Sequence, residues 1–334
     1  MELIIKKQTK MKKILIILIL SVAMVSCYED YIKDFDYSAI YFPNPVDVRT
    51  VVVGEGLKVN LGAALGGVME NLIDRKVDFK IDNSLITPAL LVSMKSSTYA
   101  FIKNSVSGVT ELQPLPTNYY TLSNPNQIII KKGWHTGTVT LKVDSTAFLS
   151  DPETINAKYI LSLYINSADA DSLIEAYRSL KVGIKYEHML FGNYLHGGVT
   201  TVKDASGATI NTIPYYTTRS QAETKIWQLT TISPNALVTN GYSDKTSTSK
   251  KELKLTINGT DIIISSADGS TNTYEANGSN TFNGAKLIQD RKILLNYKYT
   301  VGTDTYICQD TLTFRNRFRD GVNEWQDENP SHYE

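Results

Sequence analysis

Apolar and polar positions alternate along most of the chain after residue 38, in short segments separated by turn residues. Four clear segments are Val77 to Ile81, Gln127 to Lys132, Thr136 to Val143 and Lys158 to Ile165. A period of two predicts strands with one dry and one wet face. Because seven or more such segments lie between Ser38 and Lys185, the pattern predicts an antiparallel β-sandwich.

Two stretches of this first half depart from the alternation. Ser84 to Gln113 has no clear period, and we expect a long loop or an extra hairpin there. Ser172-Leu173-Ile174-Glu175 has the spacing of a capping box, in which Ser and Glu satisfy the first free amides of a helix. We therefore predict a short helix from Ser172 to Leu180.

A second β unit is predicted after a junction at Glu187 to Phe191. Asn-Gly and Asp-Gly pairs recur there and favour type I′ hairpins, because both central residues tolerate positive φ. The predicted strands between them are Glu252 to Ile257, Asp261 to Ser265, Lys286 to Ile288, Lys292 to Thr300 and Thr305 to Phe314. Consecutive hairpins predict a meander that closes into an antiparallel β-barrel, or a second sandwich.

The beginning of the chain has the order of a lipoprotein signal. Lys12 and Lys13 precede the apolar run Ile14 to Val25, and small Ser26 precedes Cys27. This order predicts a signal peptide over residues 1–26 and a lipid-bearing Cys27 at the start of a tether, residues 27–37. An ordinary secretory peptide with a chance Cys is the alternative.

Charge argues against a nucleic-acid partner. The predicted signal holds five of the 34 basic and one of the 34 acidic residues, which leaves 29 basic against 33 acidic residues in residues 27–334. The sequence has no prominent basic patch, so we expect no nucleic-acid binding. The twenty Tyr residues favour strands and also supply flat rings for sugar or peptide contact.

The sequence contains no recognisable catalytic or metal-binding motif. If Cys27 carries lipid, Cys308 has no disulfide partner, and its alternating surroundings favour a buried structural thiol over a nucleophile. The four His residues form no zinc-type pair, and there is no G-x-S-x-G element. We therefore expect neither cofactor nor metal, and no enzymatic activity.

Aromatic residues are the remaining candidates for ligand contact. Trp134 lies in a polar turn, and Tyr215 and Tyr216 follow Pro214 among Thr residues, so we expect these rings to be at least partly exposed. Trp325, beyond the last predicted strand, is a further candidate. Trp227 lies in an apolar run and is expected in the core.

Several motifs of the first half fall in the order of a known family. They are Tyr41-Phe42-Pro43, Gly66-Gly67 before Asp74-Arg75, Leu115-Pro116 before Tyr119-Tyr120, and Tyr159 through Leu163. Residues 38–186 thereby resemble an N-terminal, immunoglobulin-like domain of unknown function in Bacteroidetes lipoproteins. Many such proteins are encoded in polysaccharide-utilisation loci.

The second half and the tether extend this resemblance. Arg315 to Gly321 with Trp325 resembles the end of the usual C-terminal partner domain, and Gly192-x-Tyr194 entering a strand is similar to lipocalin-like barrels. Glu29 and Asp30 after Cys27 resemble the acidic export signal of Bacteroides-type surface lipoproteins. The resemblance implies a location at the outer face of the outer membrane, held there by the lipid alone.

The sequence thus predicts an all-β protein: an immunoglobulin-like β-sandwich over 38–186, a lipocalin-like barrel or second sandwich over 190–317, and a tail over 318–334. The expected function is non-catalytic glycan binding in a polysaccharide-uptake system, with a glycan or other uptake-system proteins as partners. An adhesin-like or structural module that contacts protein is the alternative. A glycoside hydrolase ranks third, because no spacing of the carboxylates along the sequence singles out an acid/base pair.

Overall fold

The computed structural model of the chain describes residues 36–215, 224–241 and 252–327. Residues 36–188 contain eleven strands and three short α-helices. The strands are β1 (Asp36–Tyr41), β2 (Val46–Val53), β3 (Lys58–Val68), β4 (Arg75–Ile81), β5 (Gln113–Pro114), β6 (Tyr120–Leu122), β7 (Gln127–Ile130), β8 (Thr136–Val143), β9 (Tyr159–Ala168), β10 (Ser172–Leu173) and β11 (Ser179–His188). The helices are α1 (Pro88–Lys95), α2 (Ala100–Ser105) and α3 (Ser145–Ser150).

These strands form two facing sheets. One has the order β10-β1-β3-β8-β6, and the other has the order β2-β11-β9-β4-β7 with β5 beside β9. On β8, Val139, Leu141 and Val143 are buried and the residues between them are more exposed, as the alternation predicts. Most neighbouring strands are antiparallel, but β2 lies parallel to β11. This part of the chain is therefore a β-sandwich.

The stretch from Ser84 to Gln113 is neither a long loop nor a hairpin, so that expectation is wrong. Thr87 caps α1 by accepting a hydrogen bond from the Leu90 amide, and Pro88 suits the first helical position. Leu90, Leu91 and Met94 of α1 are buried in a small core that α1 and α2 form against β2 and β9. The two helices cover the outer face of the second sheet, because that face carries apolar residues.

The helix predicted from Ser172 to Leu180 is also wrong. Ser172 and Leu173 form β10, which pairs in parallel with β1, and only a 3₁₀ turn follows at Glu175–Tyr177. β11 then begins at Ser179 and buries Leu180 in the sandwich core. Strand pairing and core burial outweigh the local capping signal.

The second unit begins with β12, directly after Leu190 and Phe191. Its strands are β12 (Gly192–Lys203), β13 (Thr209–Tyr215), β14 (Lys225–Ser233), β15 (Ala236–Thr239), β16 (Leu253–Asn258), β17 (Asp261–Ser266), β18 (Glu275–Ala276), β19 (Thr281–Phe282), β20 (Lys292–Val301), β21 (Asp304–Arg319) and β22 (Val322–Glu324). Pairing runs from β12 through β14, β15, β16, β17, β19 and β20 to β21, and β21 pairs back with β12. The sheet thus closes on itself as a barrel.

The barrel interior is filled with large side chains. Tyr194 at the start of β12 is completely buried and meets Phe314 of β21 edge to ring, with 5.6 Å between ring centroids. Trp227 is also completely buried, which confirms its predicted place in the core. Among the described residues, no helix is long and apolar enough to cross a membrane.

The segment expected as a tail from residue 318 begins as regular structure. β21 continues to Arg319, and β22 pairs with it, so that Arg317 faces Glu324 and Arg319 faces Val322. This terminal hairpin, residues 317–324, extends from the barrel toward the sandwich.

Candidate functional site

A buried ion-pair cluster joins the barrel to the sandwich. Glu55 lies in the turn between β2 and β3 and accepts hydrogen bonds from both terminal nitrogens of Arg317, at 2.8 and 2.9 Å. Arg291 donates to the same carboxylate at 2.8 Å, and both arginines are almost fully buried. Burial acts to raise the pKa of Glu55, but the two guanidinium groups lower it below its ordinary value.

The terminal hairpin turns at Asp320 and Gly321, which have φ values of 52° and 82°. Two central residues with positive φ define a type I′ turn, for which Asp-Gly is a preferred pair. The local sequence therefore sets the turn. Glu324 of β22 pairs with Arg317 and Arg319 of β21 and thereby joins the two strands of the hairpin.

The tip of this hairpin docks on the sandwich. The Asp320 carboxylate accepts hydrogen bonds from the backbone amide and the hydroxyl of Thr50 on β2, at 3.1 and 2.7 Å. Gly321 lies against the Phe101 ring of α2, so closely that a Cβ atom at Gly321 would lie 2.9 Å from Cε1. The hairpin is thus fixed at two points.

A cavity of about 540 Å³ lies where the hairpin, α2 and the edge formed by β2 and β11 meet. We call it the aromatic cleft. Its lining consists of Thr50, Thr98, Tyr99, Ala100, Phe101, Asn104, Ser105, Lys185, Glu187, Phe318, Arg319, Asp320 and Gly321. Pockets that bind small molecules have volumes of roughly 300–1,000 Å³, so the cleft has the size for such a ligand.

Two aromatic rings of the cleft are exposed. Tyr99 is 65% exposed and Phe318 is 66% exposed, although rings of this size are usually covered. Tyr99 stands beside Phe101, with ring centroids 6.0 Å apart and planes inclined by 48°. The fold therefore presents flat apolar faces to solvent within a concave site.

Polar groups complete the lining. Lys185 and Glu187 form a partly buried ion pair at 2.6 Å on β11, and Asn104 adds an exposed side-chain amide from α2. Amides, ammonium groups and carboxylates are suited to bind hydroxyl groups, while the rings are suited to pack on C–H surfaces. The cleft can therefore bind a ligand that has both kinds of surface.

A second cavity of about 610 Å³ lies beside the same hairpin and is lined mainly by charged residues, including Arg49, Lys58, Arg319 and Glu324. Burial acts to raise the pKa of Glu324, but Arg319 and Arg317 lower it. Because Arg317 of the hairpin pairs with Glu55 of the sandwich and both line this cavity, the cavity is part of the contact that holds the two units together.

The aromatic residues predicted from sequence to contact a ligand lie in different parts of the structure. Trp134 is 66% exposed in the turn between β7 and β8, and Trp325 is 60% exposed after β22. Neither lines the aromatic cleft, and both remain predictions as binding residues. Cys27 and Tyr216 lie outside the described residues.

Tyr215 is only 7% exposed, so the expectation of an exposed ring is wrong. Its hydroxyl donates a hydrogen bond to Asp310 inside the barrel, where Tyr297 also donates, at 2.8 Å. The His196 imidazole lies 3.0 Å from the same carboxylate and stacks on Trp227, with centroids 3.9 Å apart. Tyr215 thus belongs to a buried polar cluster that the short-range sequence pattern does not reveal.

Cys308 lies in the same cluster, where the Thr200 hydroxyl donates to its sulfur at 3.3 Å. It is completely buried, which confirms the prediction of a buried thiol. Burial, with the nearby Asp310, raises the pKa of Cys308 to about 12, so the reactive thiolate is disfavoured at neutral pH. Across the described residues, no group of three or more His, Cys, Asp or Glu is arranged to hold a metal ion.

Sequence reasoning missed the three rings of the cleft. Tyr99 and Phe101 fall in the stretch that was expected to be a loop or hairpin, and Phe318 falls in the expected tail. The available signal was the pair Thr87-Pro88, which predicts the start of a helix in this stretch. Tyr99 and Phe101 lie at the beginning of the helix that follows, α2.

Comparison with known proteins gives a family model described as a "-like, N-terminal domain", which matches residues 35–172, less than half of the chain. No curated protein matches in sequence. A solved structure of unknown function from Bacteroides ovatus is 20% identical and has a TM-score of 0.60; the match covers 87% of this chain and 98% of that chain. At this identity the likeness shows a shared fold.

An auxiliary nutrient binding protein from Bacteroides thetaiotaomicron is also similar, with 16% identity over 84% of this chain and 96% of that chain. Its TM-score is 0.40.

Proposed function

We propose that this protein binds a glycan without catalysing a reaction, and that the aromatic cleft is the binding site. Tyr99 and Phe318 expose flat rings within one cavity, and Asn104 places an amide beside them. The C–H faces of sugars pack on aromatic rings, while polar groups bind their hydroxyls. This pairing of exposed rings with polar groups in one concave site is the observation that carries the proposal.

The absence of catalysis is part of the proposal and follows from how the carboxylates of the cleft are used. Glu187 pairs with Lys185, and Asp320 accepts two hydrogen bonds from Thr50. A glycosidase needs one carboxylate free to donate a proton and another free to act as base or nucleophile. The carboxylates of this cleft serve instead to hold its walls.

We further propose that the protein is anchored by lipid on Cys27 at the outer face of the outer membrane, where it would work beside uptake-system proteins. The support is the order of charge, apolar run and Cys at residues 12–27, with the resemblance to surface lipoproteins. Growth with an alkyne fatty acid should label the parent protein and leave Cys27→Ala unlabelled. Equal labelling of both would contradict the anchor.

The binding test uses affinity electrophoresis against soluble xylan, mannan, β-glucan and pectin, followed by titration of the best binder. Tyr99→Ala and Phe318→Ala should each weaken binding about tenfold to hundredfold, which corresponds to roughly 1–3 kcal/mol for a ring in a binding site. Tyr37→Ala is the matched control, because Tyr37 is 62% exposed and lies outside the cleft.

The outcomes separate the alternatives. If the parent binds a glycan and both cleft variants bind it equally well, the cleft is not the site, and Trp325→Ala becomes the next variant to measure. If the parent binds none of the panel, the adhesin-like alternative is favoured. Release of smaller sugars from a bound polysaccharide would show a glycoside hydrolase.

A further inference from the structure

Five exposed apolar side chains gather at one end of the sandwich. We call them the tip patch: Tyr37, Met69, Leu72, Ile73 and Trp134, each between 53% and 66% exposed. Single exposed apolar residues are common on soluble proteins, but a cluster of them marks an interaction surface. The aliphatic members distinguish this surface from the aromatic cleft, because they offer no flat ring for a sugar.

The backbone brings these residues together. Asp36 of β1 pairs with Val68 of β3, which places Tyr37 beside the start of the loop that follows β3. Within that loop, the carbonyl of Asn71 accepts a hydrogen bond from the Gly133 amide at 2.8 Å, and its side chain donates to the Trp134 carbonyl at 2.9 Å. The 69–73 loop and the Trp134 turn therefore form one surface.

The loop is held so that its apolar residues face solvent. Asn71 is only 2% exposed, donates a second hydrogen bond to the Lys131 carbonyl at 3.0 Å, and accepts one from Arg75 at 2.9 Å. Asn71 thus faces inward, while the neighbouring Leu72 and Ile73 are 64% and 54% exposed. The exposure of the tip patch is thus built into the fold.

The position of the tip patch in the chain indicates what it contacts. Tyr37 lies ten residues after Cys27, and ten extended residues span at most about 35 Å. β3 runs from Lys58, beside the terminal hairpin, to Val68 at the tip patch, a length of about 35 Å for eleven residues. The tip patch is therefore close to the proposed anchor along the chain and at the far end of β3 from the hairpin.

We propose that the tip patch inserts into the lipid leaflet that holds the acyl chains of Cys27 and thereby orients the protein on the membrane. This inference rests on the lipid anchor of the proposed function. Trp and Tyr rings prefer the boundary between apolar and wet regions. Lys131 and Lys132 precede Trp134 in the chain. Lys131 pairs with Asp74 at 2.8 Å, and Lys132 can keep its charge in the headgroup layer while its stem lies along apolar surface. The aromatic cleft then faces away from the membrane.

The test uses residues 28–334, which retain every described residue and carry no acyl chain. Binding to phosphatidylcholine vesicles is measured by co-sedimentation. The tip variant combines Met69→Ser, Leu72→Ser and Ile73→Ser, and the control variant combines Ile210→Ser, Ile232→Ser and Ile263→Ser, which replace exposed isoleucines of the barrel. Partition of the tip variant should fall about tenfold or more, while the control should partition like the parent.

Fluorescence locates the contact. In a Trp325→Phe background, vesicles of brominated phosphatidylcholine should quench the fluorescence of Trp134. The other remaining tryptophan, Trp227, is buried and should not be quenched.

Absence of vesicle binding by the parent, or equal binding by the tip variant, would overturn the proposal. A parent dimer that the tip variant converts to monomer would instead assign the surface to a second copy. Glycan binding is measured on the same samples and should be unchanged, so failure here leaves the cleft proposal separately testable.

Discussion

Asp320 accepts hydrogen bonds from both the backbone amide and the hydroxyl of Thr50, a residue 270 positions earlier in the chain. This contact fixes the tip of the terminal hairpin against the sandwich and forms one wall of the aromatic cleft. The neighbouring contact between Gly321 and Phe101 fixes the other side of the tip. The shape of the cleft therefore depends on how the two β units meet.

The hairpin contact predicts a difference between two glycine substitutions. Gly321 and Gly302 both have positive φ, but an added Cβ meets Phe101 at Gly321 and nothing within 4 Å at Gly302. Gly302→Ala should cost about 1–2 kcal/mol for backbone strain alone. Gly321→Ala should lower the free energy of unfolding further and weaken glycan binding, as measured by urea denaturation and affinity electrophoresis. Equal effects of the two substitutions would refute the packing role of Gly321.

The ion-pair cluster predicts a large effect of removing its central charge. Glu55→Gln leaves Arg317 and Arg291 buried without their shared carboxylate and should cost about 3–5 kcal/mol. Urea denaturation at neutral pH measures this loss. Glu175→Gln is the control, because Glu175 forms an exposed ion pair with Arg178 and should matter by less than about 1 kcal/mol. A similar cost for both variants would count against the cluster as the joint.

Glu55 should also account for part of the loss of stability at acidic pH. Its pKa is lowered in the folded protein, so the stabilisation is complete above the ordinary Glu pKa and is lost as the pH falls through the folded-state pKa. Urea denaturation of the parent should show this loss below pH 4.5, and Glu55→Gln should lack that part of the acid-dependent decline. An identical decline in both proteins would contradict the assignment.

Protonation of His188 should lower the stability of the protein in a second step, at higher pH. Burial, with the nearby Arg291, lowers the pKa of His188 from 6.5 to about 4, and its Nδ1 accepts a hydrogen bond from the Leu190 amide. Because the unfolded chain takes up the proton first, stability should fall as the pH drops from 6.5 toward 4, by about 3 kcal/mol. His188→Asn retains an acceptor but cannot titrate, so its stability should vary less over this range.

Removing the Tyr215 hydroxyl should lower stability without weakening glycan binding. Tyr215→Phe removes a hydrogen bond to the buried Asp310 carboxylate and should cost about 1–3 kcal/mol. Thermal unfolding and glycan titration of the same sample measure the two properties. Weaker glycan binding per folded molecule would show that the barrel interior takes part in binding.

Much of the sandwich was predictable because its information is local. Alternation at Val77 and Phe79 predicts a strand with one buried face, and both side chains are buried. The misassigned Ser172 to Leu180 stretch shows the limit of such reasoning. Its capping-box spacing is a real local preference, but pairing of Leu173 with Ile40 and burial of Leu180 stabilise the extended form more.

The sequence by itself determined most of the strand pattern and the lipoprotein-like order of residues 1–27, because each depends on residues close together in the chain. The predicted strand from Lys286 to Ile288 is wrong, because a 3₁₀ turn begins at Ile288, and the hairpin at Asp320 and Gly321 lies where a tail was expected. Only the tertiary structure decided which rings are exposed. Tyr215 is buried because Asp310, 95 residues later, accepts its hydrogen bond, while Tyr99 and Phe318 meet at one cavity from segments more than 200 residues apart. Burial and cavity shape arise from contacts between distant segments, and no local pattern encodes which segments meet.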